Sequence, residues 1–357
     1  MAEAIKNAFG KATDGAIGNK LPTAKLGKNG PHVTRIGYGT MGLSAFYGKP
    51  KPDNERFAVL DKVYEDGDLF WDTADMYDDS EDLLGAWFKK NPGKREKIFL
   101  ATKFANCKGE DGSRWVDSSP EYARKACLKS LSRLGVDQID LYYAHRLDGK
   151  TPVEKTVEEL KKLQQEGKIK YIGISECSSE SLRRASKVAH IDAIQIEYSP
   201  FSLDIESDQI GLLKTARELG TAIVAYSPIG RGMLGGTIRS PKDFEEGDFR
   251  TFAPRFSEEN FPKNLELVDR ITEIAKKKNA TASQLTLAWI LAQGDDFFPI
   301  PGTTNIKRVE ENLGALKIKL SKEEEAEIRK ACENAQPAGS RYPEGFSAAL
   351  FADTPPL

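Results

Sequence analysis

The chain has no apolar run approaching the roughly 18–20 residues that a membrane-spanning helix needs; its greasiest stretch, LTLAWILAQ at 285–293, reads as a buried helix. It also lacks an excess of either charge: 52 Lys and Arg stand against 54 Asp and Glu, a net of −2. That balance argues against a nucleic-acid or membrane-surface partner and favours a small neutral molecule. Cysteine is scarce. Cys107, Cys127, Cys177 and Cys332 stand far apart with no CxxC spacing, so neither a disulfide framework nor a metal site is expected, and a reducing compartment fits. Residues 1–20 lack the apolar centre of a signal peptide and carry Glu3 and Asp14. We therefore expect a flexible extension over 1–23, a single domain over 24–357, and a soluble, cytoplasmic protein.

What the chain does have is a regular alternation of short β-branched and aromatic runs with longer helical patterns, the signature of βα units around a parallel sheet. The runs fall at 35–38, 68–72, 98–102, 139–144, 170–174, 193–197, 222–226 and 297–300. Eight such strands close a barrel, so the expected fold is α/β, a (β/α)8 TIM barrel with extra helices and a long loop after strand seven. Between strands, Ala123, Ala126, Cys127, Leu131 and Leu134 recur at helical spacing, Ser119-Pro120 offers a cap and first turn, and Gly135 offers a stop. Further helical segments lie at 263–278, 282–293 and 322–334. The glycine-, proline- and charge-rich stretch from 231 to 256 reads as the long loop, placed over the active face.

A doubly wound sheet competes, because Gly37-Tyr38-Gly39-Thr40-Met41-Gly42 matches the G-x-G-x-x-G fingerprint. That reading needs a helix immediately afterwards to receive a pyrophosphate, and none is expected in MGLSAFYGKPKP.

Barrel enzymes place their chemistry at the C-terminal ends of the strands. There stand Asp72 after FW, Tyr77 in the following loop, Lys103 after IFLAT and His145 after LYYA. Singly, each has an ordinary packing or surface explanation; together they describe carbonyl reduction. Reduction needs a hydride at carbon and a proton at oxygen, and a phenol is a weak acid unless its phenolate is stabilised. Lys103 can lower the Tyr77 phenol toward neutral pH, Asp72 can keep Lys103 charged, and a neutral His145 can donate an N–H to the carbonyl oxygen.

The turn Ser227-Pro228-Ile229-Gly230-Arg231-Gly232 can bring backbone N–H groups close to a pyrophosphate. After the last strand, Gly302, Thr303, Thr304 and Arg308 open a helix whose free N–H groups and guanidinium suit an adenosine 2′-phosphate, with Glu311 and Asn312 toward the adenine.

With FWDTADMY at 70–77, ATK at 101–103, LYYAHR at 141–146, YIGIS at 171–175, AYSPIGRG at 225–232 and IPGTTNIKRVEEN at 300–312, the chain resembles the aldo-keto reductase superfamily over about residues 24–335. AFYGKP, SECS, EYSPFSLDIE and RYPEG are similar to its fungal and plant branch of NADP-dependent aldehyde reductases. The resemblance implies NADPH/NADP+ as cofactor and an aldehyde or ketone, aromatic aldehydes included, as substrate. It implies Asp72, Tyr77, Lys103 and His145 as the catalytic tetrad. It implies Ser175 and Gln195 at the carboxamide, Tyr226 stacked on the nicotinamide, and Gly39, Thr40 and Met41 among the cofactor contacts. Glu176 stands where the family usually has asparagine, Asp78 where it has glycine, and Gly302 where some branches have lysine. The competing reading is an NADPH-binding regulatory subunit of the same fold. Tyr38, Trp71, Trp115, Tyr143 and RYPEGF at 341–346 are the candidate aromatic lining of a substrate pocket. The oligomeric state is left open.

Overall fold

The computed structural model describes residues 21–109, 111–345 and 347–357. Most of the expected 1–23 extension lies outside them. An eight-stranded parallel sheet runs in consecutive order: β1 (Tyr38–Gly39), β2 (Phe70–Asp72), β3 (Phe99–Phe104), β4 (Ile139–Ala144), β5 (Ile169–Ser175), β6 (Ala193–Glu197), β7 (Ala222–Tyr226) and β8 (Phe297–Pro299). The Gly37 N–H donates to Pro299 O at 3.0 Å and the Gly39 N–H to Pro301 O at 3.4 Å. These bonds join the first strand to the last and close the barrel.

Side chains alternate along each strand, and the alternation makes two cores. Phe70, Ala101, Leu141, Tyr143, Ala193, Ala222, Val224 and Phe298 fill the interior. Their neighbours Trp71, Leu100, Tyr142, Ile172, Ile194 and Ile223 face the helices. A hairpin, Thr23–Lys25 paired with His32–Thr34, plugs the N-terminal mouth with Ala24, Leu26 and Val33. The same period of two carries inward-facing Phe70 on to Asp72, Ala101 to Lys103, Tyr143 to His145, Ala193 to Gln195 and Val224 to Tyr226. The candidate site residues are thus the continuation of the interior layers at the open end.

The helix Pro120–Leu134 forms as its sequence dictates. Ser119 accepts from the Tyr122 N–H, Pro120 occupies the first turn, and Gly135 ends it in the left-handed region at φ 64. Its expected apolar face is buried. Phe261–Lys277 and Lys322–Ala335 lie outside the eight βα units and pack together, bridged by Arg270 and Lys277 on Glu327. The long loop after β7 consists largely of 3-10 turns. Two expectations need correction. The first strand is centred on Tyr38–Gly39 rather than 35–38, because the Arg35 N–H pairs with Pro22 O in the neighbouring hairpin. A one-turn helix, Met41–Ser44, does follow the G-x-G-x-x-G stretch, but it belongs to a closed barrel rather than a doubly wound sheet.

Among the described residues no helix is long and apolar enough to cross a membrane. The four cysteines are buried and free.

Candidate active site

Asp72, Lys103, Tyr77 and His145 meet at the C-terminal end of the barrel. Lys103 is fully buried, and its Nζ donates to Asp72 Oδ1 at 2.6 Å, Thr73 O at 2.7 Å and Tyr77 Oη at 3.3 Å. The second Asp72 oxygen accepts from Gln195 Nε2 at 2.8 Å. The His145 and Tyr77 rings meet edge to face at 5.9 Å, and His145 Nδ1 is buried without a partner.

Burial opposes the charge on Lys103, yet Asp72 and Tyr77 outweigh it and hold the ammonium above the ordinary lysine value. Burial pushes Asp72 up against the pull of Lys103. His145 is pushed well below the ordinary imidazole value by burial and then by Lys103 and Arg146, so it is neutral at physiological pH. Tyr77 departs from expectation: burial lifts its phenol above 10, the downward pull of Lys103 only partly offsets this, and Asp72 adds to the rise. The phenol is therefore protonated at neutral pH.

The expected cofactor residues line the same rim. Ser175 is buried opposite Gln195 in the β5–β6 register, and its Oγ accepts from Arg146 Nη1 at 3.2 Å. Tyr226 is half-buried at the end of β7; its hydroxyl donates to Glu176 Oε1 at 2.7 Å and lies 3.1 Å from that of Tyr342. In the following turn Ser227, Gly230, Arg231 and Gly232 all have positive φ, which curls the backbone tightly around Pro228 and Ile229. The Arg231 guanidinium, however, turns inward. It donates to Arg341 O at 2.7 Å and Glu197 Oε2 at 3.1 Å, leaving only the backbone of Arg231 to face a phosphate.

Thr40 is buried, and its N–H and hydroxyl both donate to Asp72 O, while Met41 packs beside Tyr77. Gly39 and Gly302 touch across the barrel seam: a β-carbon on Gly302 would sit 2.6 Å from Gly39 O. Beyond the seam Thr303 Oγ1 accepts from the Asn305 N–H, and Asn305 caps the helix Ile306–Gly314 by accepting from the Lys307 N–H. Thr304 is half-buried and Arg308 exposed at this end. Glu311 is half-buried, and Asn312 turns to the inner face with Val309 and Leu313.

Residues 35–333 match the Aldo/keto reductase family model. The chain belongs to the aldo/keto reductase family. It is 52% identical over 340 residues to aldo-keto reductase yakc [NADP(+)] of Schizosaccharomyces pombe, covering 94% of this chain and 99% of that one. It is 52% identical over 342 residues to aldo-keto reductase str7 of Strobilurus tenacellus, with the same coverage of 94% and 99%. A probable aldo-keto reductase 1 of Glycine max is 43% identical over 341 residues, covering 94% and 97%. Among solved structures, glycerol dehydrogenase AKR11B4 of Gluconobacter oxydans superposes with a TM-score of 0.77 at 26% identity, covering 94% of this chain and 98% of that one.

In this aldo-keto reductase the departures from the family pattern have structural explanations. Glu176 is fully buried and, besides Tyr226, faces Arg341 Nη1 at 3.4 Å. Glu197 sits beside it, contacted by Arg231 at 3.1 Å, Arg341 at 3.5 Å and Arg255 at 3.9 Å. Burial opposes the Glu197 charge, but the three guanidinium groups hold its carboxyl below the ordinary value. Asp78 and Asp79 do not point into the mouth: Asp78 is solvated near Lys108, and Asp79 pairs with Arg56 at 2.8 Å.

The aromatic lining also differs from expectation. Tyr38, Trp71 and Tyr143 are core residues, and Trp115 is half-exposed on a separate hairpin. Tyr342, from the expected 341–346 stretch, joins Phe46 and Phe249 in a chain of rings leading from Tyr77, with successive centroids 6.3, 6.2 and 6.0 Å apart. Sequence reasoning missed Phe46, Phe249, Glu197 and Arg255. Arg146 was signalled only by its place beside His145.

Proposed function

We propose that this aldo-keto reductase reduces aldehydes and ketones to alcohols with NADPH, taking aromatic aldehydes among its substrates and using Tyr77 as the proton donor. The observation that carries the reading is the buried chain Asp72–Lys103–Tyr77, whose phenol ring meets the ring of a neutral His145 edge to face at 5.9 Å. The residues present fit the cofactor. Ser175 and Gln195 offer polar groups at adjacent strand ends, Tyr226 offers a ring held by its hydroxyl, and the helix at Ile306 presents its N-terminus with Arg308 exposed. Bound NADPH supplies a hydride to the carbonyl carbon.

The protein's part is orientation and proton transfer. A ring N–H of His145 and the Tyr77 hydroxyl both donate to the carbonyl oxygen, polarising it. Tyr77 Oη releases its proton to that oxygen, and Lys103 Nζ stabilises the phenolate left behind. Asp72 keeps Lys103 charged. Phe46, Phe249 and Tyr342 give a flat substrate an apolar flank. The NADP(+) in the name of the Schizosaccharomyces relative supports the choice of cofactor.

The test is a panel of aromatic and aliphatic aldehydes followed by cofactor absorbance, run with NADPH and NADH on the wild type and on Tyr77→Phe. We expect turnover with NADPH that drops about 10²–10⁴-fold in the variant while NADPH binding persists. Tight NADPH binding with no turnover across the panel would favour a regulatory subunit.

A further inference from the structure

Tyr77 lies on the loop between β2 and the helix Ser80–Lys90, and that loop is gripped from outside the barrel. Arg133, in the last turn of Pro120–Leu134, donates through Nη1 to Asp75 O at 3.0 Å and through Nη2 to Asp78 O. The two carbonyls bracket Tyr77. The same guanidinium is fixed by Glu81 at 3.1 Å and Asp82 at 2.8 Å, and its side chain is 15% exposed. Glu81 is fully buried and accepts from Thr102 Oγ1 at 2.7 Å, and Thr102 precedes Lys103 on β3. The Asp75 N–H donates to Lys103 O at 3.1 Å. One arginine therefore ties the loop that carries the phenol to the strand that carries the ammonium.

Two further features fit this arrangement. Asp78 has φ 43, a left-handed conformation that glycine adopts freely and a residue with a β-carbon resists. The Arg133 bond to its carbonyl holds that conformation in place. The helix also reaches the loop only because Gly85 lets it approach: a β-carbon there would stand 2.3 Å from Arg133 O.

We propose that Arg133 is a positioning residue for Tyr77, setting the phenol against Lys103 and offsetting the strain of Asp78. The inference rests on the reading of Tyr77 as the proton donor. Lys103 Nζ to Tyr77 Oη, at 3.3 Å, is the longest of the three lysine contacts, so it is the one most easily lost when the loop drifts.

The experiment compares Arg133→Met, Arg133→Lys, Asp78→Gly, the double variant Arg133→Met with Asp78→Gly, and Tyr77→Phe, each first checked for folding by circular dichroism and thermal melting. Arg133→Met should lower kcat by roughly 10- to 100-fold, the scale for a reacting group misplaced by about an ångström, with the aldehyde KM and NADPH Kd changing less than about twofold. Arg133→Lys, keeping charge but not the fork, should fall between it and the wild type. Adding Asp78→Gly should restore part of the lost kcat, because glycine needs no help at positive φ. A folded Arg133→Met with wild-type kcat, or one losing kcat and NADPH affinity in equal measure without rescue, would overturn the proposal. If Arg133→Met is too unstable to assay, Arg133→Lys and a further double variant, Arg133→Lys with Asp78→Gly, decide the matter in the same way. Full turnover in Tyr77→Phe would overturn the proton-donor reading and this inference with it, whereas loss in Tyr77→Phe beside normal Arg133 variants overturns this inference alone.

Discussion

The Tyr226 hydroxyl donates to Glu176 Oε1 across 2.7 Å, joining the end of β7 to the residue after β5. The tail reinforces the link, since Arg341 faces the same carboxylate and the Ala352 N–H donates to Glu176 O at 2.9 Å. Glu176→Ala leaves the half-buried Tyr226 hydroxyl with Tyr342 as its one remaining partner and weakens the hold on the buried Arg341 guanidinium. We expect about 1–3 kcal/mol lower stability and weaker NADPH binding. Urea unfolding and a cofactor titration check both; an unchanged midpoint and Kd would show that the tail and β7 hold Tyr226 without Glu176.

Lys103→Met removes the group that pulls the Tyr77 phenol down most, leaving only the weaker pull of Arg146, so the phenol rises further. Reduction should fall by about 10²-fold or more, and alcohol oxidation, which needs the phenolate, should move its pH profile to higher pH. A buried Asp72 without its counter-ion also costs about 3–5 kcal/mol. Profiles in both directions on folded protein test the assignment, and unmoved profiles would remove Lys103 from it.

Asp75 gives a pH signature in stability. Burial first, then Glu81, pushes its carboxyl up to about 8, against Arg133 and Lys129. A folded value above the unfolded one means that this group's contribution is fully present below about pH 4 and is lost as pH rises toward 8. Asp75→Asn should therefore gain stability relative to the wild type across that window and level off above it. Denaturant midpoints at pH 5, 6, 7 and 8 measure the trend, and a difference independent of pH would refute it.

Arg308→Ala should weaken NADPH by about 1.5–3 kcal/mol, the range for a hydrogen bond to a charged group, and leave NADH nearly unchanged. Dissociation constants for both cofactors decide it. An equal loss for the two would mean that Arg308 does not read the 2′-phosphate.

The barrel was legible because β-branched runs and helical spacing recur at regular intervals, and β4, β6 and β7 match the expected strands residue for residue. The first strand slipped because only Tyr38 and Gly39 pair with Trp71 and Asp72, while Arg35 is taken by Pro22 in the hairpin. Asp72, Lys103 and His145 were legible by their position after apolar strands. The direction of Arg231 was not, since glycines announce a tight turn but not that a buried Glu197 draws the guanidinium inward. Nor was Glu176, whose partners lie 50 and 165 residues away.

The seam where Gly39 meets Gly302 also limits how this enzyme can be re-engineered. With Gly39 O only 2.6 Å from any β-carbon placed on Gly302, a designer who grafts a phosphate-reading lysine at that position must first reopen the joint that closes the barrel. Drift in nature meets the same obstacle, because the first step costs stability before any gain in affinity. On the proposed reading of Arg308, the route to altered coenzyme preference runs instead through the exposed first turn of the neighbouring helix, at Lys307 and Arg308, where a side chain can change without meeting the seam.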